Sequence, residues 1–310
     1  MKLDHDLFAH MREATQSFIA ALFPSRPAQP GHFLNGEFGN HAGTRQYKLY
    51  VPGGYRGQSL PLVVMLHGCT QDPDDFAVGT RMNELAEEMR CFVVYPAQTQ
   101  EANQHRCWNW FSALDQQRGQ GEPSIIAGIA QQVMARYAVR RKEVYVAGLS
   151  AGGAMAAIVG ALYPDLFHAV GVHSGLPFAS AKDLPSALSA MRRGMGRTEP
   201  IAGGGLPIIV FHGDQDNTVH PRNGEQLMEQ KLAGHGQPHE RAIDTGSVPD
   251  GHHYTRTILR HLGGKPLGEH WVVHGAGHAW SGGSADGSYT DNRGPDASRE
   301  MLRFFKTVGA

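Results

Sequence analysis

The chain has 310 residues, and its 28 Lys and Arg nearly balance its 29 Asp and Glu. A hydrophobic content of 41% and a charged content of 18% are typical of a globular protein with a sizeable core. The small net charge excludes a strong field that would recruit nucleic acid or an anionic membrane, and no apolar run approaches the roughly eighteen residues of a membrane span. We therefore expect neither nucleic acid nor a membrane as a partner.

The first 40 residues differ in pattern from the rest of the chain. Apolar side chains recur at helical spacing between residues 4 and 23, which predicts an amphipathic helix. Pro24, Pro27 and Pro30 end this helix and form a stiff arm. We expect residues 1–40 to serve as a packing or homo-oligomer contact, and residues 41–310 to form one larger domain.

The larger domain alternates between predicted strands and predicted helices. Residues 44–51 alternate in polarity as a half-exposed antiparallel strand does. Apolar runs typical of strands buried on both faces occupy residues 62–66, 91–96, 144–147, 169–174, 206–213 and 269–273. Helical patterns occupy residues 74–90, 123–137, 221–232 and 295–308. This alternation predicts an α/β fold with a mostly parallel central sheet covered by helices on both faces.

One strand runs directly into a Gly-x-Ser-x-Gly motif, Gly148-Leu149-Ser150-Ala151-Gly152, and a helical pattern rich in Ala and Gly follows. A sharp strand-to-helix turn strains the backbone of its central residue, and only small neighbours tolerate the crowding. The Ser150 hydroxyl would project beside a helix N-terminus, where developing negative charge is stabilised. The alternative is an ordinary glycine-rich turn.

A serine hydroxyl needs a base, usually a histidine oriented by a carboxylate, to become a nucleophile at neutral pH. In a parallel sheet these partners lie just past the carboxyl ends of later strands. Asp214 and Asp216 follow one such strand, and His278 follows the last strand. We favour Asp216 over Asp214, because Asp214 can bond to its own turn. The chain order Ser, Asp, His is the order found in α/β-hydrolases.

Acyl transfer also needs N–H donors for the oxyanion, and the candidates are the backbone N–H groups of Ala151 and Cys69. No His–Asn partnership supports the Cys69 thiol as a nucleophile. Cys69 and Cys107 fall in loops expected near the site, so a bridge between them is an open alternative to two free thiols. The 18 histidines show no tight metal-ligand spacing, and we expect no metal and no cofactor.

Several of these segments together resemble one family. They are Leu66-His67-Gly68-Cys69-Thr70-Gln71, Cys107-Trp108-Asn109-Trp110, Gly148-Leu149-Ser150-Ala151-Gly152-Gly153, the Asp216 loop and Gly277-His278-Ala279-Trp280. In this order they look like the polyhydroxybutyrate (PHB) depolymerase-type esterases of the α/β-hydrolase superfamily, a family that includes feruloyl and acetylxylan esterases. The resemblance covers roughly residues 45–308. It implies the α/β-hydrolase fold, Ser150 as nucleophile, Asp216 and His278 as its partners, and Cys69 in the oxyanion loop.

The chain departs from the secreted polymer-degrading members of that family. It shows no secretory leader, which places it in the cytoplasm as written, whereas the resemblance implies an extracellular or periplasmic location. It also shows no appended polymer-binding module. Both departures favour a soluble short-chain ester or oligomer over an insoluble polyester as the substrate.

Aromatic side chains near the expected site are candidates for substrate contact. Trp108, Trp110 and Trp280 fall in strand-end loops and could hold an apolar acyl or aryl group; the alternative is core packing beneath the loops. The sequence thus predicts a serine carboxylic-ester hydrolase that acts through an acyl-enzyme on short-chain or aryl esters, or on 3-hydroxybutyrate oligomers or polymer. The alternatives are a peptidase of the same fold and a non-catalytic binding protein with a hydrolase scaffold.

Overall fold

The structure, a computed structural model, describes residues 30–196, 199–201 and 204–309. The helix predicted between residues 4 and 23, and all of the arm before Pro30, lie outside these ranges. Within them, no helix combines the length and the apolar character that a membrane crossing requires.

Within the described residues, ten strands form one sheet and two short strands pair separately. In chain order the strands are β1 (His32–Asn40), β2 (Gly43–Val51), β3 (Leu60–Leu66), β4 (Phe92–Pro96), β5 (Val139–Leu149), β6 (Ala169–His173), β7 (Ile208–Gly213), β8 (His239–Ser247), β9 (His253–His261), β10 (Pro266–Val273), β11 (Trp280–Ser281) and β12 (Thr290–Asp291). The large sheet has the order β1-β2-β4-β3-β5-β6-β7-β10-β9-β8. Its six central strands, β4 to β10 in that order, are parallel, and an antiparallel pair extends each edge. The carboxyl ends of the six parallel strands therefore share one edge of the sheet.

Helices cover both faces of the sheet, as the alternating pattern predicts. They are α1 (Pro73–Thr80), α2 (Met82–Met89), α3 (Gly121–Arg136), α4 (Ala151–Leu162), α5 (Leu184–Arg193), α6 (Arg222–Ala233) and α7 (Ala297–Gly309). Buried side chains of α3, α4, α5 and α6 form a core on one face, and those of α1, α2 and α7 form a core on the other. Successive strand residues point to opposite faces: Leu62 and Val64 belong to the first core, and Val63 and Met65 to the second. The sheet is thus buried on both sides, which explains the continuous apolar runs.

The structure corrects the expected domain boundary at residue 40. His32–Asn40, assigned to the arm from sequence, forms β1 and pairs antiparallel with β2. Its glycines hide the strand pattern, because they contribute no apolar side chain. The ring of Tyr47 on β2 covers Gly36, where an added Cβ would lie 2.2 Å from a ring carbon. The sheet of the larger domain therefore begins at His32.

Two other predicted elements differ in detail. The single helix expected at residues 74–90 is divided into α1 and α2 at Arg81, whose φ of 54° is left-handed. Asp72 caps the start of α1 by accepting hydrogen bonds from the N–H groups of Asp74 and Asp75. The polar stretch before residue 253 contains β8, an edge strand that is exposed along nearly its whole length. Neither the division of the helix nor this polar strand follows from apolar periodicity.

Three buried histidines are held neutral by the fold. Burial lowers the pKa of His67 to about 4, and it lowers the pKa values of His173 and His270 to about 3. A histidine in an unfolded chain has a pKa of about 6.5. The unfolded chain therefore takes up protons between about pH 6.5 and pH 3 that the folded protein does not bind.

We expect the free energy of unfolding to be highest above about pH 6.5 and to fall as the pH drops toward 3, because protonation of these histidines favours the unfolded chain. Replacing one of them, His270→Gln, should flatten this fall by up to about 1.4 kcal/mol per pH unit. Urea unfolding at pH 7, 6, 5 and 4 measures the slope. The exposed His32 provides a control, and His32→Gln should keep the parent's slope. Equal slopes for both variants would show that His270 contributes nothing to the acid sensitivity.

Candidate active site

Ser150 occupies the tight turn between β5 and α4. Its φ of 57° and ψ of −119° lie in a region that a residue with a side chain rarely adopts. Packing maintains this conformation: a Cβ added to Gly152 would lie 2.0 Å from the Leu66 carbonyl oxygen, and one added to Gly148 would lie 2.4 Å from the Gly152 backbone. Both glycines are thus required by close backbone contact. Ser150 itself is partly exposed, while its neighbours Leu149 and Ala151 are buried.

The backbone on either side of Ser150 is fixed. The Ser150 N–H donates to the His173 carbonyl oxygen at the end of β6, at 2.9 Å. Ala151 is the first residue of α4. The first N–H groups of a helix have no partner within it, and the helix dipole makes this end favourable for negative charge. The turn therefore presents Ser150 beside a backbone that can stabilise an anion.

Asp216 and His278 are brought together from two different loops. Asp216 follows β7 and His278 follows β10, and Asp216 Oδ2 lies 2.7 Å from His278 Nδ1. The Asp216 carboxylate is buried, and its Oδ1 accepts hydrogen bonds from the N–H groups of Thr218 and Val219 at 2.9 and 2.8 Å. Burial would raise the pKa of Asp216, but its contacts with His212 and His278 outweigh this effect and hold the pKa well below its usual range. An ionised Asp216 fixes His278 with its Nδ1–H toward the carboxylate, which leaves Nε2 for another partner.

The competing carboxylate, Asp214, has a different partner. Its Oδ2 lies 2.9 Å from His274 Nδ1, and its Oδ1 accepts a hydrogen bond from the Gly275 N–H at 2.7 Å. Both Asp214 and His274 are substantially exposed. Asp214 therefore joins the loop after β7 to the loop after β10, and the carboxylate that contacts His278 is Asp216.

The loop after β3 lies against the Ser150 turn. A Cβ added to Gly68 would lie 3.6 Å from the Leu149 carbonyl oxygen, so Cys69 continues from a residue that packs on the neighbour of Ser150. A disulfide joins Cys69 to Cys107, and the Thr70 N–H donates to the His105 carbonyl oxygen at 2.7 Å. The bridge that the sequence left open is therefore present, and Cys69 has no free thiol.

Comparison with known proteins identifies the family. The family model described as Esterase PHB depolymerase matches residues 45–244. The chain belongs to this esterase family. It is 33% identical over 254 residues to poly(3-hydroxyalkanoate) depolymerase C of Paucimonas lemoignei, a match that covers 78% of this chain and 60% of the depolymerase. It therefore spans less than two thirds of that relative's length.

Two further comparisons support the family and the fold. Acetylxylan esterase A of Talaromyces purpureogenus is 27% identical, with 81% of this chain and 71% of the relative covered. The solved structure of acetyl xylan esterase from Aspergillus awamori matches with a TM-score of 0.66 at 19% identity, over 90% of this chain and 100% of that chain. At such low identity the structural match shows the α/β-hydrolase fold alone.

Gln71 is a buried polar residue near this site, and no sequence motif singles it out. Its Oε1 accepts a hydrogen bond from the Gly68 N–H at 2.9 Å. Its Nε2 donates to Asp75 Oδ2 at 2.9 Å and to the Ser288 carbonyl oxygen at 3.1 Å. One side chain thus ties the loop that carries Cys69 to the segment that follows His278. The only sequence signal for this contact is the spacing of Gly68 and Gln71. A polar side chain three positions after a residue in a tight turn can bond back to that residue's N–H.

The structure corrects the expectation that three tryptophans of the esterase contact substrate. Trp108, Trp110 and Trp280 are 0%, 4% and 1% exposed. Trp108 Nε1–H donates to the His67 carbonyl oxygen at 3.1 Å, and Trp280 Nε1–H donates to Ser298 Oγ at 3.0 Å. The indole N–H groups of Trp108 and Trp280 are thus used inside the protein, and all three rings pack in the hydrophobic cores beneath the loops. The packing alternative is the one the structure shows.

Among the residues that the structure describes, no group of three or more His, Cys, Asp or Glu side chains could hold a metal ion. This statement includes the surroundings of Ser150. Ser150, Asp216 and His278, at the carboxyl edge of the sheet, are residue types used in nucleophilic and acid–base chemistry.

Proposed function

We propose that this esterase is a serine carboxylic-ester hydrolase in which Ser150 is the nucleophile, His278 the general base and acid, and Asp216 the carboxylate that orients His278. The observation that carries the proposal is the 2.7 Å contact between buried Asp216 and His278, on loops at the same sheet edge as the strained Ser150 turn. An imidazole held in this way by a buried carboxylate is what a serine nucleophile requires.

The reaction would proceed in two halves. Ser150 Oγ attacks the ester carbonyl carbon while its proton passes to His278 Nε2, and the N–H groups of Ala151 and Cys69 receive the oxyanion. Collapse of this intermediate breaks the bond to the alcohol oxygen, which takes the proton from His278. Water, deprotonated by His278, then attacks the acyl-Ser150 ester. When this second intermediate collapses, the bond between the acyl carbon and Ser150 Oγ breaks, Oγ takes the proton back from His278, and the acid is released.

The names of the relatives support the substrate class. They describe enzymes that act on poly(3-hydroxyalkanoate) and acetylxylan, and one more relative is feruloyl esterase B of Thermothelomyces thermophilus, 26% identical over 63% of this chain and 72% of that protein. These substrates share a carboxylic ester with a short or aryl acyl group. We therefore assign short-chain esters, aryl esters and 3-hydroxybutyrate oligomers or polymer as the proposed substrates.

The disulfide supports a proposed location outside the cytoplasm. Structural disulfides persist in oxidising environments such as the periplasm and the extracellular space, and they are rare in reducing cytosol. The bridge between Cys69 and Cys107 therefore favours an oxidising compartment over the cytoplasmic location expected from the N-terminal residues.

A fluorophosphonate probe tests the activated nucleophile directly, because it reacts with a serine only when a base activates the hydroxyl. We expect one equivalent of label on the parent protein and none on Ser150→Ala. Ser174 follows β6 and also has a positive φ, 50°, so Ser174→Ala is a matched control that should keep the label. Labelling that survives in Ser150→Ala would rule out Ser150 as the nucleophile.

A further inference from the structure

His212 is a second histidine on the carboxylate of Asp216. It lies on β7, four positions before Asp216, and it is 1% exposed. His212 Nε2 lies 2.8 Å from the Val219 carbonyl oxygen and 3.4 Å from Asp216 Oδ2. Both of these oxygens accept hydrogen bonds, so Nε2 carries a proton.

The other ring nitrogen of His212 indicates a neutral ring. His212 Nδ1 is buried and has no hydrogen-bond partner among the residues that the structure describes. A Cβ added to Gly224 on α6 would lie 3.0 Å from this atom, so the helix backbone closes over it. A buried N–H without an acceptor is costly, and the neutral tautomer with its proton on Nε2 avoids that cost.

The titratable groups around His212 come from two strands and two loops. His173 lies on β6 and His270 on β10, and both are kept neutral by burial. Asp216 and His278 complete the set. Asp216 is the only carboxylate among these neighbours, so the polar interaction available to the Nε2–H beyond Val219 is with Asp216 Oδ2.

We propose that His212 is a positioning residue for the hydrolytic reaction: its Nε2–H, shared between the Val219 carbonyl and Asp216 Oδ2, fixes the carboxylate so that Oδ2 faces His278. This inference rests on the proposed function. Asp216 Oδ1 is fixed by the N–H groups of Thr218 and Val219, and His212 supplies the corresponding support for Oδ2. His212 also anchors Val219, whose N–H is one of those donors.

Loss of His212 has two expected consequences. Asp216 gains rotational freedom, so a smaller fraction of the enzyme holds His278 in the productive tautomer, and kcat falls. The carboxylate also loses a donor and becomes more basic, so it stabilises protonated His278 more strongly. Since a protonated His278 is no base, the acidic limb of the profile of kcat/KM against pH moves to higher pH. At 3.4 Å the contact is long for a hydrogen bond. We therefore expect the loss of His212 to lower kcat about tenfold, whereas the loss of Asp216 should lower kcat by thousands of fold.

The experiment measures kcat, KM and pH profiles with p-nitrophenyl butyrate for His212→Leu, His212→Gln and a control, His270→Leu. His270 is a buried histidine of the adjacent strand. Like His212, it has one ring nitrogen without a partner among the described residues, in this case Nε2. We expect His212→Leu to lower kcat about tenfold with KM little changed and to move the acidic limb upward. His212→Gln offers an amide N–H near the position of Nε2, so it should recover most of kcat. It also guards against a folding defect in the Leu variant. His270→Leu should match the parent in both readouts.

A cycle with Asp216→Ala separates this inference from the proposed function. If His212 acts through Asp216, His212→Leu should have no further effect on kcat once Asp216 is removed. An equal tenfold loss in that background, or an acidic limb of His212→Leu that stays in place or moves to lower pH, overturns the role of His212. Parent-like activity of Asp216→Ala alone would instead overturn the proposed function. An inactive Asp216→Ala beside a parent-like His212→Leu rejects only the positioning role.

Discussion

Asp216→Asn should lower kcat for a short-chain ester by about 10⁴-fold and leave KM nearly unchanged. An asparagine in the buried site offers His278 a neutral amide, so it neither stabilises the imidazolium formed during catalysis nor enforces the tautomer with the proton on Nδ1. The fold should survive, because the amide oxygen can still accept the N–H groups of Thr218 and Val219 that bond to Asp216 Oδ1. Steady-state kinetics on the purified variant measures the loss.

Asp214→Asn is the matched control, since both aspartates lie in the same loop and each contacts one histidine of the loop after β10. Asp214 and His274 are partly exposed, and a polar contact open to solvent contributes little to stability or local geometry. We expect Asp214→Asn to lose no more than about tenfold in kcat. A greater loss from Asp214→Asn than from Asp216→Asn would reverse the assignment of the two carboxylates.

Removal of the disulfide should produce the largest change in stability. Cys107→Ala opens a bridge between residues 38 positions apart, and the loop-closure entropy returned to the unfolded chain corresponds to about 4 kcal/mol. Urea unfolding of the parent and the variant measures this difference. Activity should fall as well, because the bridge holds Cys69, whose N–H is a proposed oxyanion donor, against the loop that contains Cys107.

Cys91→Ala controls for the loss of a buried sulfur. Cys91 is a free, buried thiol, so its replacement leaves the bridge intact and should cost only the packing of one small side chain. Treatment with dithiothreitol gives a second comparison: it should lower the activity of the parent and of Cys91→Ala, and leave Cys107→Ala unchanged. A parent whose stability and activity do not respond to reduction would show that the bridge contributes to neither.

The central part of the fold follows from the sequence because its strands are apolar on both faces. Runs such as residues 62–66 have no polar alternative, and the alternation with helices restricts them to a parallel sheet. The edges were harder to predict for the opposite reason. β1 contains glycines covered by a neighbouring ring, and β8 is exposed on both faces, so neither strand has the apolar pattern that sequence analysis detects.

In the candidate site, too, some features follow from the sequence and others do not. The positions of Ser150, Asp216 and His278 at one edge of the sheet follow from the sequence, because each follows an apolar strand and the carboxyl ends of parallel strands meet at one edge. The tryptophans were assigned to substrate contact from position alone, and position in a loop does not tell whether a ring points outward or into the core. Contacts made through side chains across the site, such as those of Gln71 and His212, depend on tertiary packing and leave no periodic signal.

The hydrogen bonds of Gln71 have a consequence for protein engineering. They connect the segment that carries Cys69 with the segment after His278, so we expect a change in either segment to disturb both the proposed oxyanion donor and the loop of the proposed base. Libraries aimed at a new ester preference should therefore leave Gly68, Gln71, Asp75 and Ser288 untouched. Substitutions are better introduced in surface segments that make no such hydrogen bonds between loops. There a substitution alters the shape of the entrance to the site and leaves the reacting groups in place.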